Sequence, residues 1–179
     1  MKKLILIAAI LFVSVVTSAC VNNFAVQELN DKAKIYTERG EYDEAIARLK
    51  SALDLDNGSF ETLYNLGSVY SKTGDWESAI ESFTQAALLK PDFADAYYSL
   101  AVSEENYANS LLENYSEEDI PAAERKLIYD LLQKAIQDYR DYLAKSPDAP
   151  DRKDVEQSIR SLEDLSHSNI IDESMARRI

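Results

Sequence analysis

The sequence predicts an all-α protein: a solenoid of about three helical hairpins, the third with elongated helices, followed by a C-terminal capping helix. Three observations predict it. Only four Gly and four Pro interrupt 179 residues, which leaves room for long helices. Alternating β-branched runs, the mark of half-buried strands, are missing beyond the N-terminus. The chain also repeats itself at a spacing of 34 residues, the scale of one supersecondary unit stacked on the next.

The N-terminal element comes first. Met1-Lys2-Lys3 is basic and Leu4 to Val16 is apolar. Thirteen helical residues reach roughly 20 Å, short of the roughly 30 Å hydrocarbon core, so an export segment is the better reading than a membrane span. The run ends in Thr17-Ser18-Ala19-Cys20. Small residues suit a peptidase that must accept an extended backbone. These features resemble the bacterial lipoprotein signal, with Thr17 where the family carries a larger aliphatic residue. The resemblance implies a signal peptide over residues 1–19, lipidation of Cys20, and a short tether over residues 20–25. Cys20 is the only cysteine, so it has no intramolecular disulfide partner. Several acyl chains at about 0.8 kcal/mol per buried methylene would hold the protein durably on a bilayer. By the same resemblance Val21, where an Asp would redirect sorting, implies the outer membrane facing the periplasm in a host with two membranes.

The repeats follow. Tyr36 pairs with Tyr70, Gly40 with Gly74, Ala45 with Ala79, Ile46 with Ile80 and Ala52 with Ala86; Tyr42 matches Trp76 and Leu49 matches Phe83. Gly40 and Gly74 stand where a first helix ends, because Gly accepts a left-handed cap at little cost. Ala45 and Ala79 stand where two helices approach closely. Leu63, Leu66, Val69 and Tyr70 form an inward stripe at helical spacing, as do Ile80, Phe83, Ala87 and Leu88. Pro91 ends the second helix. This order of residues resembles the tetratricopeptide repeat (TPR), and the resemblance places repeats at residues 26–59 and 60–93. The first departs from the family pattern at Lys32-Ala33 and at Asn57.

A third repeat opens at Ala96-Tyr97 and Leu100-Ala101 and resumes at Ala135-Ile136, Tyr139, Leu143 and Pro147. Ala135 lies 56 residues after Ala79, 22 beyond the period. The third repeat therefore spans residues 94–147 with a 22-residue insertion, and both of its helices are expected to grow by about eleven residues. Leu111, Leu112, Tyr115 and Ile120 would then sit at the hairpin tip, either packed across it or left as a sticky patch. Val155, Ile159, Leu162 and Leu165 share one face of a capping helix within residues 148–166, the end piece that an open stack needs. Residues 167–179 read as a tail.

Function is constrained more by pattern than by single residues. A formal net charge of −13 disfavours nucleic acid and anionic lipid headgroups as partners. Enzymatic activity is not expected. His167 is the sole histidine, Glu117-Glu118-Asp119 reads as a solvated turn, and no cofactor loop or metal-ligand spacing appears. The TPR resemblance instead implies a protein partner bound on a concave face made by the first helices. By family position the residues facing it are Asn30, Lys34, Tyr64, Asn65, Ser68, Tyr98, Ser99 and Val102. Amides there can bond a peptide backbone and tyrosines supply contact area at low entropic cost. A clamp for a C-terminal carboxylate is excluded, because Asp95 stands where that clamp needs a lysine. The whole chain resembles small bacterial TPR lipoproteins, which implies a lipid-anchored adaptor for a cell-envelope complex. The alternative is a structural lipoprotein that self-associates through the long third hairpin.

Overall fold

In the computed structural model, which describes residues 23–115 and 119–168, the chain is a row of antiparallel helices without strands among the described residues. Helix α1 covers residues 23–38. It is followed by α2 (Tyr42–Leu55), α3 (Phe60–Thr73), α4 (Trp76–Leu89), α5 (Ala94–Glu113), α6 (Ala122–Lys145) and α7 (Arg152–Ser166). Each helix packs on the next along the chain, and α3 also touches α5. None is long and apolar enough to cross a membrane. The leader and Cys20 lie outside the described residues, as do Glu117, Glu118 and residues 169–179.

The turns inside the first two hairpins show why the spacing is 34. Gly40 and Gly74 both have φ +77°, the left-handed region that other residues enter at a cost. The following residue closes each helix with the same backbone bond: Glu41 N donates to Tyr36 O at 2.9 Å and Asp75 N to Tyr70 O at 3.1 Å. Asp75 then starts α4, its carboxylate accepting from Ser78 N at 3.2 Å. Ser59 does the same for α3 through Thr62 N at 3.3 Å.

Between paired helices the packing is close. Ala45, Ala52, Ala79 and Ala86 are fully buried. A methyl group on Gly67 would stand 2.8 Å from the Phe83 ring, so this glycine is needed for contact between α3 and α4. One core unit gathers Ala33, Leu49, Leu66 and Val69, and another gathers Ala79, Phe83, Ala96 and Leu100. Two apolar residues, Leu88 of the expected stripe and Leu127, are turned outward. Leu88 is 67% exposed, because at 100° per residue it lies about 140° around α4 from Phe83. Leu127 is 39% exposed, at the margin of the α6 stripe led by Ile128 and Leu131.

The third hairpin is elongated. Helix α5 has 20 residues and α6 has 24, against 14 in each of α2, α3 and α4. Growth is unequal, six residues in α5 and ten in α6, where about eleven in each was expected. The first arm stops early because the chain tightens at Glu113, with Asn114 N donating to Leu111 O and Tyr115 N to Leu112 O. At the tip Ile120 is buried, and Leu111, Leu112 and Tyr115 pack on the same core as Ala108 and Ile128. The apolar tip is thus covered by its own hairpin. Helix α7 caps the stack with Val155, Ile159 and Leu162. Arg152 Nη2 donates to Leu143 O at 3.2 Å and Pro147 O at 2.9 Å, closing the end of α6.

At the other end, α1 already runs from residue 23, so the helix invades the tether expected over residues 20–25. Val26 is the first buried residue of its described part.

Candidate functional site

Helices α1, α3 and α5 are the first arms of successive hairpins, and polar bonds tie them side by side. Asn65 Nδ2 donates to Asn30 Oδ1 at 2.9 Å, and Asn30 Nδ2 donates to Thr62 Oγ1 at 2.8 Å. One repeat later Ser99 Oγ donates to Tyr64 OH at 3.3 Å, and the Ser71 and Ser103 hydroxyls lie 3.3 Å apart. These separations in sequence are 35 and 32 residues, flanking the period of 34. Neighbouring first arms therefore meet one or two positions off strict repeat equivalence.

Three hollows run along this face. Between α1 and α3 lie one of about 470 Å³, lined by Gln27, Asn30, Tyr64 and Asn65 with Phe93, and one of about 210 Å³, lined by Lys34, Thr37, Asn65 and Ser68. A third of about 370 Å³ lies between α3 and α5 and is lined by Ser68, Lys72, Tyr98, Ser99, Val102 and Asn106. All eight residues placed on this face by the repeat pattern line at least one hollow.

Their side chains divide into two sets. Asn30 is spent on the scaffold: its amide donates to Thr62 and to Val26 O, and its carbonyl oxygen accepts from Asn65. Tyr64 packs its ring on Phe83 at 5.3 Å and on Phe93 at 5.0 Å. Ser68 bonds back to Tyr64 O and Ser99 to the Tyr64 hydroxyl. The second set faces outward. Lys34, Asn65 and Tyr98 are exposed and Val102 is half-buried. Tyr98 rests on Tyr142 at 5.2 Å and Tyr139 at 5.9 Å, so its ring is held in place while one side remains open. Partial burial raises the Tyr98 hydroxyl pKa, helped by Asp151, Glu105 and Asp154, and it stays a neutral donor at physiological pH.

Further residues belong to the face. Lys72 lies four after Ser68, Asn106 four after Val102, and Glu38 four after Lys34, each in the same hollow as its predecessor. Helical spacing of i, i+4 was the signal that could have found them. Lys34 and Lys72 bring positive charge, and Asp31 and Glu38 bring negative charge. The face is mixed in charge within a strongly acidic chain.

Comparison with known proteins agrees with this geometry. A TPR repeat model matches residues 33–74, and a tetratricopeptide repeat model matches residues 62–97. The chain carries tetratricopeptide repeats. The TPR signal lies in the first two hairpins and the start of the third. Over 66 residues the chain is 32% identical to human Superkiller complex protein 3 and to the photosystem I assembly protein Ycf3 of Acaryochloris marina (strain MBIC 11017). Those alignments cover 37% and 35% of this chain, and only 4% and 40% of the respective relatives. The TPR fold extends further than the sequence match. The first TPR of Spaghetti (RPAP3), solved with the HSP90 peptide SRMEEVD, superposes with TM-score 0.62 at 19% identity, covering 80% of this chain and 94% of that one. The Sgt2 TPR domain from Aspergillus fumigatus gives TM-score 0.62 at 18% identity, covering 80% and 82%. The Yersinia enterocolitica type III secretion chaperone SycD, solved with a peptide of the translocator YopD, gives 0.55 at 16%, covering 78% and 89%.

Proposed function

We propose that this chain is a lipid-anchored TPR adaptor of the cell envelope, which holds an extended or helical segment of a partner protein across the α1–α3–α5 face. One observation carries this reading. The three hollows adjoin along one face, and Lys34, Tyr98 and Val102 open onto it together with the exposed Asn65, whose amide also bonds Asn30. Donors, acceptors and a rigid ring along a groove are what an extended backbone with alternating side chains requires. The RPAP3 and SycD structures, each solved with a peptide, support a protein ligand for this architecture.

The anchor rests on the leader ending at Cys20. With helix described from residue 23 onward, at most two residues lie between the lipidated position and α1, so the stack would lie against the bilayer surface. Phe24, 70% exposed on that first turn, suits the apolar side of such an interface. At the tip of the third hairpin Leu111, Leu112, Tyr115 and Ile120 pack into the hairpin's own core, which favours the adaptor over self-association through those residues. Affinity capture from solubilised envelopes tests the reading: wild type should retain a specific envelope protein, and Cys20→Ser should leave the membrane fraction. Capture of nothing specific after crosslinking, or unchanged membrane association of Cys20→Ser, would overturn it.

A further inference from the structure

On the opposite side of α5 from the groove, α4 and α6 stand apart and α5 floors the cleft between them, a cavity of about 450 Å³. Its walls are apolar: Ile80, Ala87 and Leu88 come from α4, and Tyr97 and Leu100 from α5. Two carboxyls, Glu104 on α5 and Asp138 on α6, open into it. Glu104 is 3% exposed, its Oε2 receives no N–H or hydroxyl donor, and its carboxyl shares a hydrogen bond with that of Asp138. A buried acceptor without a donor costs about 1–3 kcal/mol. The group beside it is the second carboxyl, which removes it further from the ordinary case. Lys134 lines the same cleft but forms no ion pair with either acid.

We propose that this cleft is a binding site for an alkylammonium group, a primary amine cation carried on an apolar stem. An ammonium brings three N–H donors to oxygens that lack them, and its methylenes match the Ile80, Leu88 and Leu100 walls. A hard divalent cation fits poorly, since calcium takes six to eight oxygen ligands and magnesium six, and beyond the two carboxyls only Thr84 and Gln137 among the mostly apolar lining could add side-chain oxygens beside the Lys134 ammonium. Leu88, 67% exposed at the mouth, is accounted for as the lip of the site. Burial raises the pKa of both acids, that of Glu104 with help from the charge and hydrogen bond of Asp138 and against Lys134, and that of Asp138 against the hydrogen bond from Glu104, with help from Asp141 and against Lys134. The empty pair therefore keeps a proton at neutral pH, and an entering cation would displace it.

Such a group could come from a free aliphatic amine or from a lysine side chain of a protein. Titration calorimetry on the full chain in detergent micelles, at pH 7.5 and in two buffers of different ionisation enthalpy, compares cadaverine with Nα-acetyl-lysine methylamide. The expected result is saturable binding with proton release for at least one of them. The tighter ligand identifies the source. Glu104→Gln should weaken binding about tenfold or more, the size of a lost charged hydrogen bond. Should that variant fail to fold, Leu88→Trp, at an exposed position, should block entry to the same degree. Binding of neither amine, binding without proton release, or affinity unchanged in the folded variant would overturn the assignment.

Discussion

The first two hairpins and the third solve the same packing problem differently. Helices α2 to α4 are short and matched in length, turn at left-handed glycines, and satisfy polar groups by bonding to the next repeat. The α5–α6 hairpin is half as long again, has no glycine at its turn, and buries most of its apolar surface against itself and α7. It also buries acids that the regular hairpins avoid. The regular hairpins therefore supply two of the three helices of the face, while the long one lends it α5 and adds a core of its own. In a one-dimensional array stability is a sum of local terms, so damage to either region should stay largely where it is made.

The largest expected effect breaks the long hairpin. Leu132 is fully buried in its core, and Leu132→Ala should destabilise by about 2–5 kcal/mol. Hydrogen exchange should show faster opening of α5, α6 and α7, with α1 to α3 little changed. Uniform acceleration along the chain would show that the two regions unfold as one. Next is the turn of a regular hairpin: Gly74→Ala forces φ +77° on a residue with a Cβ, at about 1–2 kcal/mol, read as a lower urea midpoint. The same substitution at Gly58, which has ordinary backbone, should be much milder.

The acid pair sharpens the comparison through pH. Burial lifts Glu104 to about 9, above the ordinary carboxylate range of its unfolded state. The folded form therefore holds a proton that the unfolded form has lost. Stability from this group is fully present below the unfolded pKa and declines as pH rises toward 9. The melting temperature should fall between about pH 5 and pH 9, and Glu104→Gln, neutral in both states, should flatten that slope. A profile unchanged by the substitution would place the titration elsewhere. The smallest effect on stability belongs to the open face. Lys34→Ala, at an exposed side chain, should shift stability by no more than about 0.5 kcal/mol while reducing partner recovery. Loss of recovery with a matching loss of stability would mean that Lys34 supports the fold.

Legibility in the sequence follows the same division. The regular hairpins were readable because left-handed turns restrict Gly40 and Gly74 to glycine and close helix contact restricts Ala45 and Ala79 to small residues, all at fixed spacing. The long hairpin was readable in kind but not in measure. No glycine marks the end of α5, and the stop at Glu113 comes from local turn bonds that many residues can make. Leu88 was assigned inward from its apolarity, and its position around α4 turned it out. The groove was legible as a face, but not as two sets of side chains. Asn30 and Ser99 look like ligand-binding groups until the 35-residue offset shows them bonding to the next helix. The pairing of Glu104 with Asp138 depends on the register across the insertion, which repeat periodicity no longer dictates.

The central claim is that a partner protein lies across α1, α3 and α5. Photocrosslinking amino acids placed at Lys34, Val102 and, on the outer surface of α7, at Arg160 test it directly in intact envelopes. The account predicts one shared adduct from positions 34 and 102 and none of that mass from position 160. The same adduct from position 160, or none from the two groove positions, would contradict it.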